Sequence, residues 1–253
     1  MCRKSKRTIA PLPLLILSTL AAPFAASCSS SSPTTAAQAL DPTQSHYGNT
    51  DSEWGALWWQ WLYQLPQSAD DAGMPICSIP FQDPTGANCA AGQSGDVFYL
   101  AGTTGGTVVR DQCHVPLGKA IFFPIFTFVD DNGGVPAAMQ QSDSALTEQV
   151  QNGVAGVAVS SLSAEFDGRP IANLASFATQ VTQFSYTLPP EPNVYTCEGQ
   201  NGVTGAVSPS YAAGYYIMLA PPVAGAHVLH FAGTSAASNP PAMIDVTYKL
   251  TIP

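Results

Sequence analysis

The sequence contains few charged residues, and basic residues are the scarcest. Charged side chains make up 10% of the 253 residues, and Lys and Arg together number only 8. Four of these eight lie before residue 28, where there is no acidic residue, so the rest of the chain carries 4 basic and 17 acidic side chains. Such an acidic surface repels nucleic acids and anionic lipid head groups. We therefore expect no nucleic-acid partner.

Local signatures of the common enzyme classes are also absent. The sequence has no GxSxG, HExxH, P-loop or dinucleotide-binding motif, and the cysteines after residue 28 form no CxxC pair. These absences exclude the serine hydrolases, zinc proteases and nucleotide enzymes that such motifs identify. They do not exclude enzymes whose catalytic residues are scattered along the sequence. Neither a cofactor nor a metal ion is expected.

The chain lacks a long uninterrupted hydrophobic run. The apolar stretch at residues 9–20 is short and contains Pro11 and Pro13, which argues against a retained transmembrane helix. A basic head, this stretch and small residues before Cys28 predict a secretory signal peptide at residues 1–27. Its end resembles the lipobox of bacterial lipoproteins, with Ala25 where the lipobox has Leu. That resemblance implies that Cys28 carries lipid.

The lipobox resemblance also implies a location in the cell envelope. Ser29, rather than Asp, follows the cysteine, which in lipoproteins of two-membrane bacteria implies the outer membrane. Without the anchor, the exported protein would be periplasmic or secreted. Residues 28–44 are rich in Ser, Thr, Ala and Pro and are predicted to form a tether, since they cannot bury a core. Residues 45–253 are predicted to form one domain.

Four cysteines are left after the signal peptide and Cys28 are set aside: Cys77, Cys89, Cys113 and Cys197. An even number of cysteines in an oxidising compartment predicts two disulfides, and three pairings are possible. A bond between Cys89 and Cys113 would hold the long segment at residues 66–95 against the following strands. The remaining pair would then be Cys77 with Cys197.

All four tryptophans lie between residues 54 and 61. Thr50 followed three residues later by Glu53 is a capping-box pattern, and Pro66 terminates the segment, so the sequence predicts a helix of about fifteen residues. One face of this helix carries four large apolar side chains: Trp54, Trp58, Trp61 and Leu65. A helix with so apolar a face must dock onto the rest of the protein.

Trp59 and Tyr63 project to the flank of this helix, and two interpretations of them stay open. The indoles can cover the end of a sheet core, since aromatic side chains bury large areas and dominate packing. Alternatively, Trp59 and Tyr63 stay partly exposed and form a stacking platform that binds a sugar or a peptide.

Strand patterns dominate the rest of the chain. Residues 97–101 and 107–113 flank a glycine-rich turn and predict a hairpin, and residues 120–128 are apolar on both faces, as in a central strand between two layers. Residues 214–219 and 226–231 are predicted to pair with each other, and residues 245–252 alternate strictly between apolar and polar. Residues 142–161 predict a second helix. The fold class is therefore all-β, a mostly antiparallel β-sandwich of Ig-like or jelly-roll type, with two accessory α-helices.

Several of these segments resemble a family of bacterial secreted proteins of unassigned function. The resemblance lies in EWGALWWQW, CAAGQSGDVFYLAGTTGG and CHVPLGKAIFFPIF. It continues in FDGRPIANL and GYYIMLAPPVAGAHVLHFAG, so it covers nearly all of the chain after the tether. The resemblance implies no activity.

Candidate polar site residues follow the apolar strand in the sequence VDDNGG. The oxygens of Asp130, Asp131 and Asn132 suit Ca²⁺, but a full shell needs about 6–8 oxygens, so a strand-ending turn is favoured. Asp130, Asp131 and Glu165 are also the candidates for the carboxylate pair of a glycoside hydrolase. The alternative for Glu165 is an outward position on a strand. His227 and His230 are three apart on a predicted strand and therefore point to opposite faces, which disfavours a joint metal site.

Two classes of function follow from the sequence. The favoured class is a lipid-anchored binding or structural module outside the cytoplasm, whose ligand is a polysaccharide or a partner protein. The absence of catalytic signatures and the aromatic-rich helix support it. The alternative is a secreted hydrolase that acts on a polysaccharide through Asp130, Asp131 and Glu165.

Overall fold

The computed structural model describes residues 38–253. The predicted signal peptide, the lipidation candidate Cys28 and residues 28–37 of the predicted tether lie outside the described residues. Residues 38–40 are part of the domain: the Leu40 N–H donates to the Met218 carbonyl, and the Ala220 N–H donates to the Gln38 carbonyl. The domain therefore includes residues that the sequence pattern assigned to the tether.

The described chain folds into eleven strands and three α-helices. The helices are α1 (Asp51–Gln64), α2 (Asp143–Ala155) and α3 (Val194–Cys197). The strands are β1 (Ser68–Ala69), β2 (Pro75–Ile76), β3 (Val97–Tyr99), β4 (Gly106–His114), β5 (Ala120–Asp131), β6 (Ser163–Phe166), β7 (Arg169–Pro170), β8 (Thr182–Leu188), β9 (Gly205–Leu219), β10 (Gly225–Ser235) and β11 (Ala242–Ile252).

Two larger sheets form the sandwich. The five-stranded sheet has the order β4-β11-β10-β6-β7, the four-stranded sheet has the order β3-β5-β9-β8, and β1 and β2 form a separate small pair. Most neighbours are antiparallel, but β3 with β5 and β4 with β11 are parallel. The predicted β-sandwich with accessory helices is confirmed, and the one-turn helix α3 is an addition to the two predicted helices.

The core between the sheets arises from the alternation of side chains along the strands. Each sheet turns every second residue inward, so apolar positions at a spacing of two meet across the gap. The four-stranded sheet contributes Phe98, Ile121, Phe123 and Ile217, and the five-stranded sheet contributes Phe166, Leu229, Phe231, Val246 and Tyr248. The strict alternation predicted for the last strand is confirmed in β11.

The other face of the four-stranded sheet is covered by α1, which makes a third layer. The predicted capping box is present: the Thr50 hydroxyl accepts from the Glu53 N–H, and the Glu53 carboxylate accepts from the Thr50 N–H. Gly55 lets the helix lie close to the sheet, because a Cβ at this position would be 2.6 Å from the ring of Tyr216. The helix is thus docked through its apolar face, as its sequence predicts.

Two of the predicted strand pairings are wrong. The predicted hairpin of residues 97–101 with 107–113 does not form, because β3 joins the four-stranded sheet and β4 joins the five-stranded sheet. The predicted pairing of residues 214–219 with 226–231 fails for the same reason, since β9 and β10 also lie in different sheets. The connection from β3 to β4 and the connection from β9 to β10 therefore each lead from one sheet of the sandwich to the other instead of closing a hairpin.

The predicted disulfide pairing is confirmed. Cys77 is bonded to Cys197, and Cys89 is bonded to Cys113. Two disulfides indicate that the domain folds in an oxidising compartment outside the cytoplasm. Within residues 38–253, no helix has the length and apolar character needed to cross a membrane.

Candidate functional site

A groove of about 560 Å³ lies between the C-terminal half of α1 and the segment that follows it. We term it the neutral groove. Its lining consists of Leu57, Gln60, Trp61, Gln64, Leu65, Pro66, Gln67, Ser78, Ile79, Asn88, Ala91, Gly92, Ser94 and Tyr99. One wall is therefore helical, and the other belongs to the segment that carries Cys77 and Cys89.

Hydrogen bonds hold the second wall in place. The indole N–H of Trp61 donates to the Ala91 carbonyl over 2.8 Å. The Gln93 side chain donates to the Tyr99 carbonyl over 2.7 Å and accepts from the Tyr99 N–H over 2.9 Å. The Gln67 side chain accepts from the Ser78 N–H over 3.0 Å. Together with both disulfides in the same region, these bonds fix the shape of the groove, which lowers the entropic cost of binding.

The groove offers uncharged hydrogen-bonding groups. Its exposed or half-buried polar side chains are Gln60, Gln64, Ser78, Asn88 and Ser94. The buried rings of Trp61 and Tyr99 also contribute to the lining, with exposed fractions of 7% and 9% and centroids 5.4 Å apart. Burial raises the pKa of Tyr99, so its phenol stays neutral at physiological pH. None of the lining residues carries a charge.

Trp59 and Tyr63, the candidate stacking platform, are buried rather than partly exposed. Their exposed fractions are 7% and 8%. The Trp59 indole N–H donates to the Thr127 hydroxyl over 2.8 Å, and the Tyr63 ring lies 4.4 Å from the ring of Tyr186. Of the two alternatives for these side chains, burial is the one observed, because β8 packs against the flank of α1 and β9 lies beneath it. A ligand would find no open ring face on this pair.

Asp131 accepts hydrogen bonds from several groups of the protein. The hydroxyls of Tyr186 and Tyr195 donate to its carboxylate over 2.9 and 3.1 Å, and the Gly133 N–H donates over 2.7 Å. The Ser210 hydroxyl lies 3.3 Å from the same carboxylate. Asp131 therefore joins β5, β8, β9 and α3, which is a structural role.

Asp130 and Glu165 do not converge with Asp131. Neighbouring residues of a strand point to opposite faces, so Asp130 faces away from the phenols that surround Asp131. Asp130 lines a different cleft beside α2, and burial raises its pKa. Glu165 lies between the core residues Ala164 and Phe166 of β6 and therefore points out of the five-stranded sheet. The candidate carboxylates of the hydrolase interpretation are thus on three different surfaces.

The calcium interpretation of VDDNGG meets the same difficulty. The Asn132 side chain donates to the Gln141 carbonyl and accepts from the Gln141 N–H, each over 2.9 Å. Its oxygen is used in fixing a loop, and the two neighbouring carboxylates point apart. Within the part of the chain that the structure describes, no three His, Cys, Asp or Glu side chains are grouped so that they could hold a metal ion.

The histidines of β10 lie on opposite faces, as the sequence predicts. His227 lies on the inner face of its sheet, where its ring nitrogens contact the Asp167 carboxylate over 2.8 Å and the Val223 carbonyl over 2.9 Å. His230 lies on the outer face, 3.0 Å from Asp245. Each histidine has its own partners, so the pair forms no joint site.

Sequence reasoning missed the buried carboxyl of Asp51. Its exposed fraction is 5%, and its Oδ1 has no hydrogen-bond partner in the described structure. Burial raises the pKa of Asp51 to about 6, although nearby His46 acts in the opposite direction. An acid in the first turn of a helix is normally exposed. Here residues 176–180, distant in sequence, help to form the cleft around it, and no local pattern could show that.

Comparisons with protein-family models, curated proteins and solved structures found no match to this chain.

Proposed function

We propose that this chain is an exported binding protein that takes an uncharged polysaccharide into the neutral groove. The observation that carries the proposal is a pre-formed groove without a charged lining residue, on a domain with a large excess of acidic residues. The groove contains the kinds of group that recognise the hydroxyl groups of a sugar, namely side-chain amides and hydroxyls.

Charge favours a neutral ligand over an acidic one. The excess of acids over bases repels polyanions at long range, and the groove has no Arg or Lys that could pair with a carboxylate or a sulfate. A neutral polysaccharide is not repelled by the acidic surface, and it needs no basic side chain in the groove. The polysaccharide class is therefore narrowed to uncharged glycans.

A glycan-binding assay with matched neutral and acidic polymers tests the proposal. We expect retention of the protein by a neutral polymer of a panel of glucans, mannans and xylans, and none by charged counterparts such as dextran sulfate and polygalacturonate. Gln64→Ala removes an exposed amide of the groove and should weaken binding about three- to tenfold, the value of one hydrogen bond. Ala91→Trp should fill the groove and abolish binding.

The control variant is Gln112→Ala, because Gln112 is an exposed amide on β4 that does not line the groove. Its binding should equal that of the wild type, and all variants should unfold at the same temperature. Retention by acidic polymers alone, or unchanged binding by Ala91→Trp, would contradict the proposal. Binding of a partner protein instead of any glycan would select the other ligand class.

The location is proposed to be the outer membrane, through lipid on Cys28. The mature chain would begin at this cysteine, and residues 29–37 would connect the anchor to the domain. We expect Cys28→Ala to release the protein from the membrane fraction and to abolish incorporation of labelled palmitate. The domain should keep its unfolding temperature, since Cys28 precedes the described residues in sequence and both disulfides use other cysteines. Lipid-labelled, membrane-bound Cys28→Ala protein would refute the anchor.

A further inference from the structure

A second, smaller cleft lies at the N-terminal end of α1. We term it the Asp51 cleft. Its volume is about 190 Å³, and it is lined by Pro42, by residues 50–52 at the start of α1 and by residues 176–180. Asp51 is the only charged residue in this lining. The cleft does not share a residue with the neutral groove.

The carboxyl of Asp51 is unsatisfied in this cleft. Its side chain is buried, and Oδ1 accepts no hydrogen bond from the described residues. A buried charge without a partner is strongly unfavourable, and most carboxylates in proteins avoid it by pairing or by exposure. A group that donates hydrogen bonds and carries positive charge would remove this cost on binding.

Other polar groups in the cleft are suited to the same ligand. The Ser176 hydroxyl donates to the Asn173 carbonyl, so its oxygen still has lone pairs that can accept a hydrogen bond. Ser52 and Gln180 add a hydroxyl and an amide oxygen to the lining. The positive end of α1 is already compensated by the capping box with Glu53, so it does not repel a cation strongly.

We propose that the Asp51 cleft binds a primary ammonium group, such as the aminomethyl or aminoethyl group of a small amine. One carboxylate balances one positive charge, and the oxygens of the carboxyl, the hydroxyls and the amide in the lining are the kind of acceptor that an ammonium group requires. A divalent metal ion would require more carboxylates than this one. The size of the cleft suits a small head group and not a folded partner.

The charge state of the cleft depends on few groups. Asp41 and His46 lie near Asp51 on the preceding segment, and the lining residues 176–180 include no titratable side chain. Since burial raises the pKa of Asp51 to about 6, the carboxylate is formed at pH 7.5 and protonated at pH 4.5.

Thermal unfolding of the full chain with ethylammonium chloride tests the proposal. We expect ethylammonium to raise the unfolding temperature at pH 7.5 and to have no effect at pH 4.5. Tetramethylammonium, which has no N–H group, and sodium chloride at the same ionic strength should have no effect. Asp51→Asn should weaken the apparent affinity for ethylammonium at least tenfold, while the control Glu148→Gln, an exposed acid of α2, should leave it unchanged.

The unfolding temperature without ethylammonium shows whether Asp51→Asn is folded and whether the ionised carboxylate of Asp51 destabilises the folded protein. The variant should unfold at a higher temperature than the wild type at pH 7.5, and the two should converge at pH 4.5. The reason is that a carboxyl with a raised pKa in the folded state favours unfolding once it ionises. An equal response to ethylammonium in wild type and Asp51→Asn, an equal response to tetramethylammonium, or no response at pH 7.5 would overturn the proposal.

Discussion

Replacing Arg110 with methionine is expected to lower the free energy of unfolding by about 3–5 kcal/mol, because it leaves several buried carbonyl groups without a donor. Arg110 is 1% exposed. Its guanidinium donates to the carbonyls of Asp83, Ala101 and Gly102 over 2.7–2.8 Å and to the Tyr248 hydroxyl over 2.7 Å. The side chain thus joins the segment after α1, the connection from β3 to β4, and β11.

No carboxylate of residues 38–253 forms an ion pair with Arg110, and the Tyr248 side chain interacts with its charge instead. Its guanidinium carbon lies 5.2 Å from the centre of the Tyr248 ring, and the Tyr248 hydroxyl in turn donates to the Ala101 carbonyl. Burial raises the pKa of Tyr248, so the hydroxyl remains a donor. The stabilisation comes from the planar guanidinium, which presents several N–H donors in a fixed geometry. A lysine ammonium cannot reproduce this geometry, so Arg110→Lys should recover only part of the stability that Arg110→Met loses.

The control for Arg110 is Arg169→Met, because Arg169 is exposed on the hairpin of β6 and β7. Its unfolding free energy should change by less than about 0.5 kcal/mol, as is usual for surface sites. Urea denaturation of the three variants measures these differences. A loss below 1 kcal/mol in Arg110→Met would show that water replaces the missing donors and that the side chain is not essential to the fold.

Replacing Cys77 and Cys197 together with alanine is expected to lower the free energy of unfolding by about 3–5 kcal/mol, because the disulfide closes a long loop in the unfolded chain. The two cysteines are 120 residues apart in sequence. The bond also ties the end of β2 to α3 and so supports one wall of the neutral groove. We therefore expect weaker glycan binding as well as lower stability.

The comparison with the second disulfide separates these two effects. Cys89 and Cys113 are only 24 residues apart, so replacing them should cost less through loop closure. Denaturation and glycan binding are measured for both double variants under oxidising conditions. If the Cys77 and Cys197 variant is as stable as the wild type, the hydrogen bonds and the bond between Cys89 and Cys113 are sufficient to hold the segment after α1.

The sequence allowed α1 and the disulfides to be predicted because both depend on local or discrete signals. The capping box of Thr50 and Glu53 and the stop at Pro66 set the ends of the helix. The spacing of Trp54, Trp58 and Trp61 identified the face that docks. The alternation of β11 likewise needed only its own residues.

The strand partners and the groove could not be predicted, because they depend on which sheet each strand joins. The turn between β3 and β4 has the composition of a hairpin, but the hydrogen bonds of β4 are made with β11, more than a hundred residues later. Trp59 and Tyr63 are buried by β8, and Asp51 lies in a cleft formed with residues 176–180. Each of these outcomes is a long-range contact with no pattern in the neighbouring sequence.

The side-chain amide signals of Gln64 and Asn88 in a heteronuclear NMR titration test the central claim most directly. The protein is titrated with a short oligosaccharide of the neutral polymer that retains it. The account predicts saturable shifts of both amide signals and of the Ser94 backbone amide, with no shift at Asp130 or Asp131. Shifts confined to the residues around Asp130 and Asp131, with Gln64 and Asn88 unmoved, would contradict the assignment of the neutral groove as the binding site.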